Sequence, residues 1–267
     1  MIQPEQSGDS YREPCAVTPA AVMRLMVMRA AERYRASGRF AYYFARGKLR
    51  TDPVFTTLLA QKLLPRTPRL LDLGCGQGLV AAWLDAANQC HLDGHWPPSW
   101  PAPPRPISIR GIEIDAHEVR RAQPALGKLA QIECADLRSA PLPDSDAILL
   151  LDVLHYIEPV SQKLLLDRAH AALSRDGVLL LRIGNAAGGV RFTWSRWVDA
   201  AIWRLRGRRR AKLTFRTVAG WIDLLASAGF EAGEISMEGG RSFANVLLLA
   251  RPGSRPPARL TPPTGAH

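Results

Sequence analysis

Between residues 70 and 78 the chain reads Leu70-Leu71-Asp72-Leu73-Gly74-Cys75-Gly76-Gln77-Gly78. An apolar run meets a carboxylate and then three glycines at alternate positions. Such glycines permit a tight turn and let a ligand lie against bare backbone. A dinucleotide fingerprint would read GxGxxG, but the position that needs its last glycine holds Leu79. Asp72 would oppose a pyrophosphate, whereas it suits a ligand carrying an ammonium or a sulfonium. A ligand-free glycine turn and a nicotinamide site remain the alternatives for this string. Two more acids, Glu113 and Asp136, follow later apolar runs, and His155 follows another. An imidazole there has the ordinary chemistry of a general base.

These residues need a frame that gathers them. Arg69–Leu73, Ile107–Ile114, Gln131–Ala135, Ala147–Leu151, Gly177–Ile183, Ala232–Met237 and Asn245–Ala250 read as strands. Helical stretches alternate with most of them, from Gly78, from Ala116, over Pro159–Leu173, over 192–206 and over 217–228. Parallel strands need crossover helices on both faces, so the pattern predicts an α/β, doubly wound, Rossmann-like sheet of seven strands. Ligands of such sheets sit beyond the carboxyl ends of the strands, where the acids and glycines fall. Thr18-Pro19 and Asp52-Pro53 open two helices of an N-terminal helical cap over 17–66. Prolines 97, 98, 101, 103, 104 and 106 make 88–106 an irregular insert. Residues 1–16 and 252–267 read as flexible ends, leaving one catalytic domain over 17–251.

At Asp72-Leu73-Gly74-Cys75-Gly76-Gln77-Gly78 the sequence resembles the class I S-adenosylmethionine-dependent methyltransferases, over roughly residues 40–250. The resemblance implies S-adenosyl-L-methionine as cofactor, held by Asp72 and by the backbone of Gly74, Cys75, Gly76 and Gly78. It implies that Glu113, with Ile114 beside it, receives the ribose hydroxyls. Asp115 is the second choice, and capping the next helix is its expected role. Gly76 and Glu113 stand 37 residues apart against a usual spacing of about 20, and the proline-rich insert accounts for nearly all the excess. Asp136 and Leu137 resemble the adenine-binding element, although an aspartate after a strand also serves as a turn residue.

Leu149-Leu150-Leu151-Asp152-Val153-Leu154-His155 resembles the family's fourth-strand element. Asp152 would line the methionine moiety, and His155 is the candidate catalytic residue; packing in the core is its competing role. In-line transfer from a sulfonium can rest on positioning alone, so a base is optional. On the cap, Tyr42 or Tyr43 could close over the cofactor and Arg46 or Lys48 could pair with its carboxylate; a helix C-terminus whose cations suit the dipole is the alternative for this stretch. Asn185 is a candidate for orienting substrate. His91, Asp93 and His95 have loose metal-like spacing without a fourth ligand, so no metal is expected.

Charge is unevenly spread. Of the net +11, residues 21–50 contribute +7 and residues 191–216 contribute +8, leaving the remainder at −4. Clusters of this kind attract nucleic acid, phosphate-bearing carriers or anionic membrane. Trp194, Trp197, Val198, Ala201, Ile202 and Leu205 form one apolar stripe in a basic helical segment; the resemblance implies a substrate lid over 190–216, and a helix packed on the core is the alternative. The stripe would roof an apolar acceptor or lie on a membrane surface. The partner expected is therefore a small apolar or aromatic acceptor, lipid-like or carrier-bound as variants, with peripheral contact to anionic membrane. Nucleic acid ranks lower, since no Asn-Pro-Pro-Tyr-like string occurs. An RNA methyltransferase and a non-catalytic cofactor-binding module are the alternative functions. The apolar stretch from Ala20 is broken by Arg24, so neither a leader nor a membrane span is expected. Four cysteines without CxxC pairing point to a reducing, cytoplasmic setting.

Overall fold

A computed structural model describes residues 17–184, 214, 216–237 and 245–253. Residues 1–16, Asn185, almost all of the expected lid over 190–216 and the residues beyond 253 lie outside the described residues.

Seven strands form one sheet: β1 (Arg69–Leu73), β2 (Ser108–Glu113), β3 (Gln131–Cys134), β4 (Ser145–Leu151), β5 (Leu173–Gly184), β6 (Phe230–Ile235) and β7 (Asn245–Pro252). Their order is β3-β2-β1-β4-β5-β7-β6. Neighbours from β3 to β5 run parallel, and β7 lies antiparallel to both β5 and β6. The chain winds outward from β1 to β3 and then returns to β4. The chain therefore switches direction between β1 and β4, and sheets of this kind bind their ligands beyond the carboxyl ends at such a point.

Seven α-helices accompany the strands among the described residues: α1 (Pro19–Glu32), α2 (Arg39–Thr51), α3 (Pro53–Ala60), α4 (Leu79–Leu92), α5 (Ala116–Leu126), α6 (Pro159–Ala172) and α7 (Val218–Ser227). Thr18 and Asp52 cap α1 and α3 with their side chains, and proline opens both helices. Asp115 caps α5, as expected.

Successive strand residues point to opposite faces, and both faces are dry. Leu70, Ala147, Leu149, Val178 and Leu180 pack under α1–α5. Leu71, Leu73, Ile148, Leu150, Leu179 and Leu181 pack under α6 and α7. Burial on both faces explains why the strands read as continuous apolar runs.

Two expectations are corrected. Residues 39–51 form a separate helix, α2, because Gly38 at φ 101° breaks the chain after the 3-10 turn Arg33–Ser37. Its buried stripe is only Ala41, Ala45 and Leu49, too slight to stand out among bases and aromatics. The insert begins later than expected, because α4 runs on to Leu92 with Cys90 buried. It crosses the amino ends of β1 and β2, where Arg105 and Ile107 donate backbone hydrogen bonds to Arg66 and Pro68. That end of the sheet is opposite the glycine turn.

Candidate active site

The glycine turn joins β1 to α4 and is tied to β2, since the amides of Gly74 and Cys75 donate to the carbonyl of Ile112 at 2.8 and 3.3 Å. Gly74 has φ +73°, and a Cβ there would stand 2.4 Å from Val153 Cγ2. Gly76 has φ +55°, but a Cβ there would meet nothing within 4 Å. The first glycine is thus a packing requirement, and the second leaves backbone facing open space. Tyr34, fully buried, supports the turn from the cap by donating its hydroxyl to the carbonyl of Gln77 at 2.9 Å. Burial raises the Tyr34 phenol well above its usual range, so it stays a donor.

Two carboxylates flank the turn. Glu113, at the end of β2, accepts from the amides of Gly76 at 2.9 Å and Asp115 at 2.8 Å. Those two bonds fix its orientation and leave further acceptor capacity, since an ionised carboxylate offers about four lone-pair sites. Asp72 is buried, 5% exposed. Burial, reinforced by nearby Glu113, pushes its carboxyl up to about 7. No cation pairs with Asp72 among the described residues. A buried acid lacking a countercharge is costly when ionised, and a cationic ligand removes that cost. Ile114 is 46% exposed beside Glu113, an apolar side chain in the open at a strand end. Bare backbone, an uncompensated acid, an oriented acid and an exposed apolar residue together fit a nucleoside that carries a positive charge.

The remaining predicted residues are distributed as follows. Asp136 makes a turn, accepting from the amide of Arg138 at 2.9 Å and pairing with its guanidinium at 2.6 Å. Leu137 is buried behind it. His155 is buried in the 3-10 turn Leu154–Tyr156, its ring 4.1 Å from that of Tyr156. Gln162 of α6 holds this turn by donating to the carbonyls of Leu154 and Ile157. Tyr42 packs under the Arg35 guanidinium, 4.4 Å from its ring, and Arg46 is exposed. Of the bases on α2, Lys48 is the one turned toward the strand ends, 2.7 Å from Asp52 and 4.0 Å from Asp152. At the end of α4 His91 packs against Trp96 of the insert, and Asp93 just beyond it pairs with Arg29 at 2.7 Å.

Asp152 has φ +63°, unusual outside glycine, and an ion pair holds it. Arg182 of β5 donates to Asp152 through Nε at 2.8 Å and also pairs with Asp52 of the cap. Arg182 is only 3% exposed. Burial pushes the Asp52 carboxyl up, but Arg182 and Lys48 outweigh burial and hold it at about 2. Arg182, Asp52, Tyr34 and Gln162 were not anticipated as site residues. Only Arg182 carried a visible signal, a lone base inside Val178-Leu179-Leu180-Leu181-Arg182-Ile183.

Strand order and glycine turn place the molecule among the class I S-adenosylmethionine-dependent methyltransferases. Residues 42–234 match the family model of a methyltransferase domain, and the chain belongs to that family. The methyltransferase family uses S-adenosylmethionine. Among curated proteins it is similar to the carboxy-S-adenosyl-L-methionine synthase of Helicobacter pylori strain G27, 28% identical over 128 residues. That match covers 46% of this chain and 47% of the relative, so the chain spans about half the length of the curated relatives it matches. Among solved structures, human N-acetylserotonin methyltransferase in complex with S-adenosylmethionine superposes with TM-score 0.52 at 18% identity. That superposition covers 89% of this chain and 61% of the human one. The DhpI complex with S-adenosylhomocysteine has TM-score 0.52 at 17% identity, covering 89% of this chain and all of that one. At these identities the likeness concerns the fold.

Proposed function

We propose that the protein transfers the methyl group of S-adenosylmethionine to a small apolar or aromatic acceptor at oxygen, carbon or nitrogen. The observation that carries the binding part of this reading is Asp72, an acid buried without a countercharge among the described residues, beside a turn of bare backbone. In this reading Asp72 and the Gly74–Gly78 backbone hold the charged methionine portion, Glu113 receives the ribose hydroxyls, and Ile114, Asp136 and Leu137 border the adenine. The bound cofactor supplies an electrophilic methyl on sulfur. The protein's own task is to hold the two reactants in line, which can supply on the order of 7–11 kcal/mol. His155, shielded beside Tyr156, serves as a proton acceptor if the acceptor molecule must lose a proton.

Support for a small acceptor comes from the sequence, which carries no base-amine methylation string, and from the human neighbour, which is named for a small aromatic acceptor. The test is transfer of labelled methyl from S-adenosylmethionine into host extract, split into lipid, small-molecule, protein and RNA fractions. Label in the lipid or small-molecule fraction supports the reading, and label confined to RNA overturns it. A second reading rests on the Helicobacter relatives, whose name specifies a carboxylated form of the cofactor as product. Mass spectrometry of the nucleosides after turnover separates the two. Methyl transfer yields S-adenosylhomocysteine, whereas carboxylation by a carboxyl-donating co-substrate puts a carboxyl in place of one methyl hydrogen and yields a nucleoside heavier than the cofactor by CO2.

A further inference from the structure

The two sides of α2 carry different charge patterns. Its inner side presents Ala41, Ala45 and Leu49 to the core and Lys48 to Asp52. Its outer side presents Arg39, Phe40, Tyr43, Arg46 and Arg50, all exposed. At 100° per residue, Arg39, Tyr43, Arg46 and Arg50 fall in one line along the helix, with Phe40 flanking it. Phe40 and Tyr43 are 56% and 58% exposed. The helix contains no acid, and among the described residues Arg39, Arg46 and Arg50 form no ion pair. The other bases nearby are engaged, Arg33 with Asp85 and Arg35 with Glu32.

We infer that this outer face of α2 seats the protein on an anionic lipid surface. A row of arginines attracts negatively charged headgroups, each contributing roughly fivefold to partitioning. Tyr43 between them, and Phe40 beside them with Arg121 over its ring, match the interfacial depth, where an apolar ring and a polar rim are both satisfied. No helix among the described residues is long and apolar enough to cross a membrane, so the contact is peripheral. The same pattern could meet RNA through phosphates and stacked bases. A convex, linear stripe favours the bilayer, since single-stranded nucleic acid is tracked in a groove.

The inference does not depend on which acceptor is methylated, and its test does not use activity. Full-length protein is sedimented with vesicles of phosphatidylcholine alone and with vesicles containing phosphatidylglycerol, in low and high salt. Binding only to the anionic vesicles, weakened by salt, is expected. The double variant R39E/R50E should lower that partitioning by at least about 25-fold, and Tyr43→Ser should reduce the fraction still bound at high salt. Thermal melting of each variant should match the parent, showing that the exposed changes leave the fold intact. Equal binding to both vesicle types, or partitioning unchanged in R39E/R50E, overturns the inference. So does tight binding to transfer RNA that R39E/R50E abolishes while vesicles are ignored.

Discussion

Asp72 and Glu113 lie side by side and do different things. Glu113 is spent in part on backbone amides of the turn it flanks, so it acts as both brace and acceptor. Replacing it by alanine frees two amides and removes the proposed ribose contact. Calorimetry should show S-adenosylmethionine binding weaker by about 1–3 kcal/mol. Asp72, held at about 7 instead of 3.8, gives a signed pH dependence. Its folded state binds more protons than its unfolded state between those values, so stability falls as pH rises from about 4 to about 7. A cation at the turn stabilises the ionised form, so cofactor binding releases a proton and tightens as pH rises through 7. Calorimetry in buffers of different ionisation enthalpy should detect that proton, and Asp72→Asn should abolish its release.

At the scale of elements, the glycine turn separates two kinds of requirement. Gly74→Ala sets a methyl against Val153 in a left-handed conformation and should lower stability by about 1–3 kcal/mol. Val153→Ala in the same chain should recover part of the loss. Gly76→Ala meets no neighbour, so denaturant titration should show a smaller loss, of about 1–2 kcal/mol. Its cofactor affinity should fall further than its stability, because the new methyl enters the proposed ligand space. The turn was legible in the sequence because it is local: strand, acid, glycines and helix follow one another within ten residues. Asp115 was legible for the same reason, since a helix cap is read from its immediate neighbours. Helix α2 was legible only as an alternative, from the cations at its end, because its buried stripe is two alanines and a leucine. Arg182, Asp52 and Asp152 come from three distant parts of the chain, and no spacing rule reports that they meet.

At the scale of the molecule, Arg182 joins the cap to the sheet. It binds Asp52, which also caps α3, and Asp152, which follows β4 in a left-handed conformation. Removing Arg182 leaves two acids to share Lys48, and breaking a buried pair in this way costs up to about 3–5 kcal/mol. Arg182→Met should therefore lower the melting temperature sharply, and adding Asp52→Asn should restore part of it. If the melting temperature is unchanged, the cap is held by its other contacts, Tyr34 to Gln77 and Arg33 to Asp85 among them. Mobile ions screen charges in water over about 8–10 Å but reach buried pairs poorly. Sodium chloride should therefore detach α2 from vesicles at concentrations that leave the Lys48–Asp52–Arg182 joint intact. A single helix would then answer to ionic strength on its wet side and ignore it on its dry side.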